Sequence, residues 1–334
     1  MSILQEYISY QHHYSKLYDD RVVIMMEVGS FFELYAIPDT MNDNSYIGAD
    51  IYNVCDLLNI QVTKRNKTIT EVNKDNFLMA GFPNHSVKKF IDILVENKYI
   101  VVLIEQVTPP PKIIRKPTNI YSPSTHIDNL RTHDANYMMV IYIENIQTKS
   151  HKSIYVVGWS VFDPSTGKSY TNEIVNEHDV GTLLDEVYRL ILQYDPKEIV
   201  LTSLFNMVNA DKFCSYLSDD SRYCINKLNC LDNMYTKLTT QTNILEKAFK
   251  DNGMLSVIEY LHLEFKPFAV ISYTYLIQFA YEHNEKLLEK MVKPIITNHN
   301  NNFLTLAYNA VNQLNIIGGS VSIESIYNLS LIHI

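Results

Sequence analysis

Two breaks constrain the fold most, because they divide the 334 residues of the sequence into three segments. The first break runs from Pro109 to Ser124 and is rich in proline, which removes backbone donors and blocks regular helix. The second is the turn signal Asp251-Asn252-Gly253, after which the pattern becomes strongly helical. We therefore predict three domains, at residues 1–125, 126–251 and 252–334.

The first segment has the pattern of a small mixed α/β domain. Ser2 and Gln5 have capping-box spacing, which predicts a helix to about Leu17. From Val87, apolar residues recur at helical spacing and lead into residues 99–104, an unbroken apolar run typical of a strand buried on both faces. Further strands are predicted at residues 21–26 and 31–35, and a further helix at residues 49–58.

The later segments predict an α/β sandwich followed by helix. Strands are predicted at residues 137–144, 154–162, 168–174 and 199–201, with a helix through residues 183–191. This order favours a mixed sheet covered by helices. In the third segment, Pro267 suits a first helical turn and Pro294 a stop, which predicts one helix of about 26 residues and roughly 39 Å that acts as a strut.

Composition excludes several classes of protein. The 9 glycines never form G-x-G or G-x-x-x-x-G-K, so the sequence holds no dinucleotide fingerprint and no phosphate loop. No apolar stretch approaches the roughly 20 residues that span a bilayer, and no secretory leader follows Met1, so we expect an intracellular protein without a membrane partner. The cysteines lack zinc or C-x-x-C spacing and are predicted to be reduced structural thiols: Cys55, Cys214, Cys224 and Cys230.

Three carboxylates of the second segment leave one enzymatic alternative open. If the sheet is of the ribonuclease H kind, Glu144, Asp163 and Asp185 can be considered as ligands of catalytic metal ions. Their spacing does not require them to converge, and solvated surface acids are the simpler interpretation. A metal-dependent nuclease that uses Glu144 and Asp163 is therefore kept as an alternative function.

The distribution of charge gives a weak nucleic-acid signal. The net charge is −9, but most of the acidic excess lies after residue 125. Lys64, Arg65, Lys67 and Lys74 form a basic stretch in which Glu71 is the only acid. Such a stretch suits contacts to phosphates. A solvated loop explains the same pattern, so both interpretations stay open.

The segment Phe31–Tyr35 gives a stronger signal, directly after the tight turn at Gly29. Side chains alternate along a strand, so one face carries Phe31, Glu33 and Tyr35, and the other carries Phe32 and Leu34. A large aromatic beside a carboxylate is a poor core pattern, whereas an exposed aromatic can wedge between base pairs from the minor groove. An ordinary edge strand is the alternative interpretation.

Several spaced motifs stand in order along the chain. In the first segment they are Gly29-x-Phe31-x-Glu33, Leu57-Leu58-x-Ile60-x-Val62-Thr63-Lys64-Arg65, Met79-Ala80-Gly81-Phe82-Pro83-x-His85-Ser86-Val87 and Ile104-Glu105-Gln106. Further on come Phe162-Asp163-x-Ser165-Thr166-Gly167 and Leu304-x-Leu306-x-x-Asn309-Ala310-x-x-Gln313-Leu314. Together they resemble successive signatures of the MutS mismatch-repair ATPases. Ser124 departs from the pattern, because the family usually has glycine there.

The resemblance implies a fold and a set of site residues. Phe31 is expected to stack on the mispaired or unpaired base of double-stranded DNA, and Glu33 to hydrogen-bond to it. Lys64, Arg65 and Lys67 are expected to contact the DNA backbone. The implied fold is a small mixed α/β mismatch-recognition domain at residues 1–125, a ribonuclease H-like α/β connector at 126–251, and the truncated start of an all-α lever region at 252–334.

The resemblance also implies what the chain lacks. The family's clamp and its nucleotide-binding domain are missing, so this chain is expected to bind DNA without hydrolysing ATP and to need no cofactor or metal. An intact protein is expected to be a homodimeric, DNA-dependent ATPase that uses ATP and Mg²⁺. A MutS-derived binder of unusual DNA structures, without a repair role, is a further alternative.

Overall fold

In a computed structural model, the chain divides into two units. The structure describes residues 2–18, 21–38, 46–109, 112–126, 135–147, 153–176, 180–203, 223–229, 233–251, 253–297 and 314. The first unit comprises Met1–Arg131 with Glu282–Asn284, and the second comprises Thr132–Tyr281 with Glu285–Ile334.

The first unit is built on a mixed sheet. Its described strands are β1 (Val22–Val28), β2 (Phe31–Pro38), β3 (Tyr46–Gly48), β4 (Thr63–Lys64), β5 (Leu78–Pro83), β6 (Ile100–Gln106) and β7 (Arg115–Tyr121). They lie in the order β4-β5-β2-β1-β6-β7, and β3 pairs with β2. β1 and β6 are parallel, and the other pairs are antiparallel. The helices are α1 (Ile3–Tyr18), α2 (Ile51–Leu58) and α3 (Val87–Glu96).

The two faces of this sheet are covered by different helices. On one face, side chains of β2 such as Phe32 and Leu34 join a buried cluster with residues of α2 and α3. On the other face, the Tyr7 hydroxyl of α1 donates to the carbonyl of Ile24, 3.0 Å away. The predicted capping box starts α1, since Ser2 and Gln5 exchange side-chain to backbone hydrogen bonds of 3.1 and 3.2 Å.

The proline-rich stretch differs from the sequence-based expectation. We predict a break from Pro109 to Ser124, but Arg115–Tyr121 forms β7, antiparallel to β6. Pro117 is tolerated because β7 is at the edge of the described sheet, where its missing N–H breaks no second ladder. The pairing also shifts register between Leu103 and Ile104, opposite the proline.

The second unit contains a second mixed sheet. Its described strands are β8 (Met138–Gln147), β9 (Ser153–Phe162), β10 (Ser169–Asn176), β11 (Glu198–Ser203), β12 (Cys224–Asn229) and β13 (Ile295–Ile296), in the order β12-β11-β8-β9-β10-β13. β9 is antiparallel to both of its neighbours, whereas β8, β11 and β12 are parallel. This is the ribonuclease H-like arrangement that the sequence analysis predicts. Helix α4 (Val180–Tyr194) packs its apolar side on the buried cluster of this sheet.

Among the residues described after β12, three segments are α-helical: α5 (Leu238–Ala248), α6 (Val257–Tyr260) and α7 (Pro267–His283). α7 begins at Pro267, as predicted, but has 17 residues and is followed by a 3₁₀ segment, Glu285–Lys290. The prediction of a helix of about 26 residues acting as a strut is therefore wrong. α7 is buried around most of its circumference, which is typical of a core helix.

α7 is fixed to the second sheet by close packing and polar contacts. Gly158 of β9 leaves room for the helix, because a Cβ there would lie 1.9 Å from the carbonyl oxygen of Phe268. The Ser160 and Ser272 hydroxyls are 2.8 Å apart. Glu173 of β10 accepts a hydrogen bond of 3.1 Å from the backbone N–H of Phe268, which satisfies a donor in the first helical turn.

Two cysteines lie within the described residues and form no disulfide. Cys55 and Cys224 are both buried thiols, as predicted. Burial, with a smaller contribution from Asp56, raises the pKa of the Cys55 thiol to about 12, so it stays protonated. Cys214 and Cys230 lie outside the described residues. Within the described parts of the chain, no helix is long and apolar enough to cross a membrane.

Candidate nucleic-acid interface

The β1–β2 hairpin presents Phe31 to solvent. Its two-residue turn has Gly29 at a φ of 64°, a left-handed conformation that glycine adopts without strain. Phe31 is the first residue of β2 and is 46% exposed, whereas Phe32 is 3% exposed and joins the core. The alternation predicted from sequence is confirmed at these positions, and it leaves one large aromatic ring accessible at a rigid turn.

Glu33 lies on the same face of β2 as Phe31 and is held by Tyr35. Glu33 is half-buried, and the Tyr35 hydroxyl donates a hydrogen bond to its Oε2 atom. Tyr35 is 2% exposed, and its ring lies 5.1 Å from the ring of Tyr7 and 5.1 Å from that of Phe77. The carboxylate is therefore attached to a buried and packed donor.

The pKa of Tyr35 is raised well above its ordinary value. Burial is the largest cause, and the hydrogen bond to the Glu33 carboxylate and its negative charge add to it. The phenol thus keeps its proton across the physiological range and serves as a lasting donor. The pKa of Tyr7 shifts in the same direction, mainly because Tyr7 is buried.

Gly81 of β5 is the register partner of Glu33 and leaves space beside it. A Cβ at position 81 would lie 3.2 Å from Glu33 Cγ and 3.2 Å from the carbonyl oxygen of Phe32, tighter than ordinary van der Waals contact. The glycine of the third motif therefore lets the Glu33 side chain lie across the neighbouring strand.

Glu27 fixes the base of the hairpin. Its carboxylate accepts hydrogen bonds from the Asn84 side-chain amide at 3.0 Å and from the backbone N–H of Gln106 at 2.8 Å. Its carbonyl accepts from the Gln106 side chain at 3.0 Å and from Arg115 Nε at 2.9 Å. The backbone N–H of Asn84 also donates to the carbonyl of Ser30 in the turn, 3.0 Å away. These contacts hold the hairpin that carries Phe31.

The basic stretch, residues 64–74, begins at β4 and is called the basic loop below. β4 lies on the far side of β5 from β2. Lys64 donates a hydrogen bond of 2.6 Å to the carbonyl of Thr70, so its ammonium group helps to close the loop. Arg65 is exposed, and its guanidinium carbon lies 5.6 Å from the centre of the Phe77 ring. Lys67 is also exposed. Of the three predicted DNA-backbone contacts, Lys64 thus already has a partner within the protein, whereas Arg65 and Lys67 are accessible.

Phe77 connects the basic loop to the Glu33 site. Its ring contacts Tyr35 on one side and Arg65 on the other, which gives the order Glu33, Tyr35, Phe77, Arg65. Sequence reasoning missed Tyr35 and Phe77 as site residues, and it also missed Glu27 and Asn84. Gln106 and Gly81 stand inside the quoted motifs, so the motifs do mark part of this supporting structure.

The acids of the second unit do not form a metal site among the described residues. The strand register pairs Glu144 with Val156, whereas Phe162, next to Asp163, pairs with Met138. Glu144 and Asp163 are thus about seven residues apart along the ladder, or roughly 23 Å. Within the described residues, no group of three or more His, Cys, Asp or Glu side chains could hold a metal ion.

Asp163 has a structural role instead. Its Oδ1 accepts hydrogen bonds from the Ser165 backbone N–H at 3.0 Å and hydroxyl at 2.6 Å, and its Oδ2 accepts from the Thr166 hydroxyl at 2.8 Å. Burial alone would raise the pKa of Asp163, but these donors stabilise the carboxylate and lower the pKa below its ordinary value. Asp163 therefore closes the turn after β9, as its place in the connector-like motif suggests.

The chain contains two mixed sheets, each packed against helices, and this architecture defines a modular α/β protein of the type formed by MutS domains I and II. The family model for MutS domain I matches residues 8–129, and the model for MutS domain II matches residues 136–291. The chain belongs to the MutS family.

Curated relatives agree with this assignment. A putative DNA mismatch repair protein mutS homolog of Acanthamoeba polyphaga mimivirus is 28% identical, over 95% of this chain and 30% of its own length. The DNA mismatch repair protein MutS of Caldanaerobacter subterraneus subsp. tengcongensis is 25% identical, over 94% of this chain and 31% of its own length. That of Streptococcus thermophilus is 26% identical, over 62% of this chain and 22% of its own length. The chain thus spans less than a third of these relatives.

Proposed function

We propose that this chain binds mismatched double-stranded DNA, as the N-terminal part of a MutS-family mismatch-repair protein. The observation that carries the proposal is the position of Phe31, which is 46% exposed at a hairpin tip with Glu33 on the same face of the strand. Membership of the MutS family supports the repair context.

Phe31 would stack on the mispaired or unpaired base. Stacking of a base on an aromatic ring contributes about 1 to 3 kcal/mol and accepts every base, which suits a sensor of many mismatches. Inserting a ring costs a few kcal/mol of unstacking, and that cost is lowest where the base pair is already weak. Selectivity would therefore come from the ease with which mismatched DNA deforms.

Glu33 would hydrogen-bond to the same base. An ionised carboxylate accepts from a base N–H, and a protonated one can donate to a ring nitrogen. The spacing of Phe31 and Glu33 along β2 supports this role, because residues two apart in a strand lie on one face about 6.6 Å from each other. Gly81 leaves the neighbouring strand without a side chain at this level.

The basic loop would contact the DNA backbone. Arg65 and Lys67 are exposed and suit phosphate contacts, which position a protein on DNA without reading sequence. Lys64 is a weaker candidate, since its ammonium group already donates to Thr70. The basic loop offers few cations, which fits a site in which the inserted aromatic ring contributes more to selectivity than positive charge does.

The activity of a longer protein is a separate part of the proposal. A DNA-dependent ATPase that acts as a homodimer and uses ATP and Mg²⁺ would need a phosphate loop, and no residues of this sequence fit one. A DNA-associated location inside the cell follows from the proposed function.

The test is a binding comparison with the full chain at several salt concentrations. The substrates are a matched duplex, the same duplex with a G·T mismatch or one unpaired thymine, and a four-way branched DNA. The proposal expects tighter binding to the mismatched duplexes than to the matched one at every salt concentration. Equal affinities would overturn it, tighter binding to branched DNA alone would favour the DNA-structure binder, and magnesium-dependent cleavage would favour the nuclease.

A further inference from the structure

Tyr35 is buried, and its hydroxyl group does not itself take part in the proposed recognition of DNA. Its ring packs edge-on against Tyr7 and Phe77, and its hydroxyl donates to Glu33 Oε2. A backbone carbonyl can accept the hydrogen bond of a buried tyrosine hydroxyl, as the carbonyl of Ile24 does for Tyr7. The Tyr35 hydroxyl instead donates to the carboxylate that lies beside Phe31 on the strand face.

We propose that Tyr35 is a positioning residue that sets mismatch selectivity by holding the Glu33 carboxylate in place as a hydrogen-bond acceptor. This inference rests on the proposed function of Glu33 and deepens it. Tyr35 itself is too deeply buried to touch DNA, so its effect must pass through Glu33.

The first reason is conformational. A glutamate side chain loses rotamer entropy when it is fixed, and this loss opposes binding. A hydrogen bond from a ring that is itself immobilised on two sides fixes the carboxylate before DNA arrives. The ordering is then already complete in the unbound protein, which is the general advantage of preorganisation.

The second reason is chemical. The Tyr35 phenol stays protonated, because burial and the adjacent carboxylate both raise its pKa. It therefore remains a hydrogen-bond donor to Glu33 Oε2, and the carboxylate is held as an acceptor for a base N–H. Mispaired and unpaired bases that turn an N–H towards Glu33 are the ligands that this arrangement favours.

The third reason is the environment on the neighbouring strand. Gly81 is the register partner of Glu33, and a side chain there would press on Glu33 Cγ. Glycine has no side chain with which to orient the carboxylate, whereas the Tyr35 hydroxyl donates to it directly. The orientation of the carboxylate thus depends on Tyr35 more than on the strand beside it.

The experiment is a double-mutant cycle on the full chain. Glu33→Ala, Tyr35→Phe and the double variant are compared with the original chain for binding to a matched duplex and to the same duplex with one unpaired thymine. Tyr35→Phe keeps the packed ring and removes only the donor. We expect it to lower the ratio of mismatched to matched affinity by about twofold to tenfold, the range of the net contribution of one ordinary hydrogen bond.

The cycle separates positioning from stability. In the Glu33→Ala background, Tyr35→Phe should produce no further change in the ratio, because its target is absent. Tyr7→Phe is the matched control, since it removes another buried tyrosine donor from the same packed group, one that donates to Ile24 instead of Glu33. We expect it to lower the melting temperature and to leave the ratio unchanged.

Each contrary outcome has a different meaning. If Glu33→Ala lowers the ratio but Tyr35→Phe does not, Tyr35 does not position Glu33 and the proposed function stands. If Tyr35→Phe has the same effect in the original chain and in the Glu33→Ala background, or if Tyr7→Phe lowers the ratio as much, the effect is one of packing and the inference is overturned. If Glu33→Ala leaves the ratio unchanged, the proposed role of Glu33 and the role of Tyr35 both fail.

Discussion

Glu27 and Gln106 are 79 residues apart in sequence and are joined by two hydrogen bonds. The Gln106 backbone N–H donates to the Glu27 carboxylate, and the Gln106 side chain donates to the Glu27 carbonyl. These two hydrogen bonds, both donated by Gln106, join the end of β1 to the end of β6. The hairpin that carries Phe31 is thus attached to the centre of the sheet, which limits how far the exposed ring can move.

Removing the Glu27 carboxylate should weaken both the fold and the selectivity. Glu27→Ala leaves the Asn84 amide and the Gln106 N–H without their acceptor, and each unpaired buried donor costs about 1 to 3 kcal/mol. We expect a lower free energy of unfolding in urea and a reduced preference for mismatched DNA. Glu96→Ala, at the exposed end of α3, is the control that should change neither. A stable variant with full preference would show that the pair does not position Phe31.

Filling the space beside Glu33 should alter selectivity more than stability. Gly81→Ala places a Cβ 3.2 Å from Glu33 Cγ, so the glutamate must shift by a few tenths of an ångström. We expect a lower ratio of mismatched to matched affinity, with a loss of only about 1 kcal/mol in folding. Ala80→Gly destabilises the same strand by about 0.5 to 1 kcal/mol on the opposite face and serves as control. Equal ratios in the two variants would attribute the effect to strand stability alone.

The basic loop should set salt dependence without setting selectivity. Each phosphate contact contributes about 0.9 to the slope of log affinity against log salt concentration. We expect Arg65→Ala and Lys67→Ala each to reduce that slope by about 1, equally for matched and mismatched DNA. Lys64→Ala should change the slope less, because its ammonium group donates to Thr70. Lys89→Ala, at an exposed position of α3, is the control, and a slope that stays unchanged in the Arg65 and Lys67 variants would remove the loop from the interface.

The second unit should lose stability in acid through Asp163. The pKa of Asp163 is lower in the folded protein than its ordinary value of 3.8. The stabilisation is therefore fully present above pH 3.8 and is lost as the pH falls through the lower folded pKa. We expect the stability difference between the original chain and Asp163→Asn to shrink below that pH in urea unfolding. Asp251→Asn, at an exposed site, is the matched control, and a difference for Asp163→Asn that stays constant with pH would contradict the assignment.

Local signals predicted much of the fold. The capping box at Ser2 and Gln5 begins α1, and the apolar run after Tyr99 forms the buried strand β6. The turn at Gly29 and the alternation after it predicted that Phe31 is exposed and Phe32 buried. These features depend on residues close together in sequence, which is why the pattern contains them.

Other features depend on distant residues. Alternation alone places Tyr35 outward with Phe31, but α1 covers that end of the strand face and buries Tyr35 against Tyr7. The edge position of β7, which lets a strand accept Pro117, is defined only by the assembled sheet. The helical pattern after Pro267 likewise does not reveal that α7 ends at His283. The boundaries at residues 125 and 251 stay predictions, and the match to MutS domain II extends across the second to residue 291.

The most direct test of the account is the ratio of affinities for mismatched and matched duplexes, measured in parallel for the original chain, Phe31→Ala and Phe265→Ala. Phe265 is 87% exposed and lies in the second unit, so its loss removes a comparable exposed ring. We expect Phe31→Ala to lower the ratio by about fivefold to a hundredfold, the equivalent of one stacked base, and Phe265→Ala to leave it unchanged. An unchanged ratio in Phe31→Ala would contradict the assignment of Phe31 as the residue that recognises the mismatch.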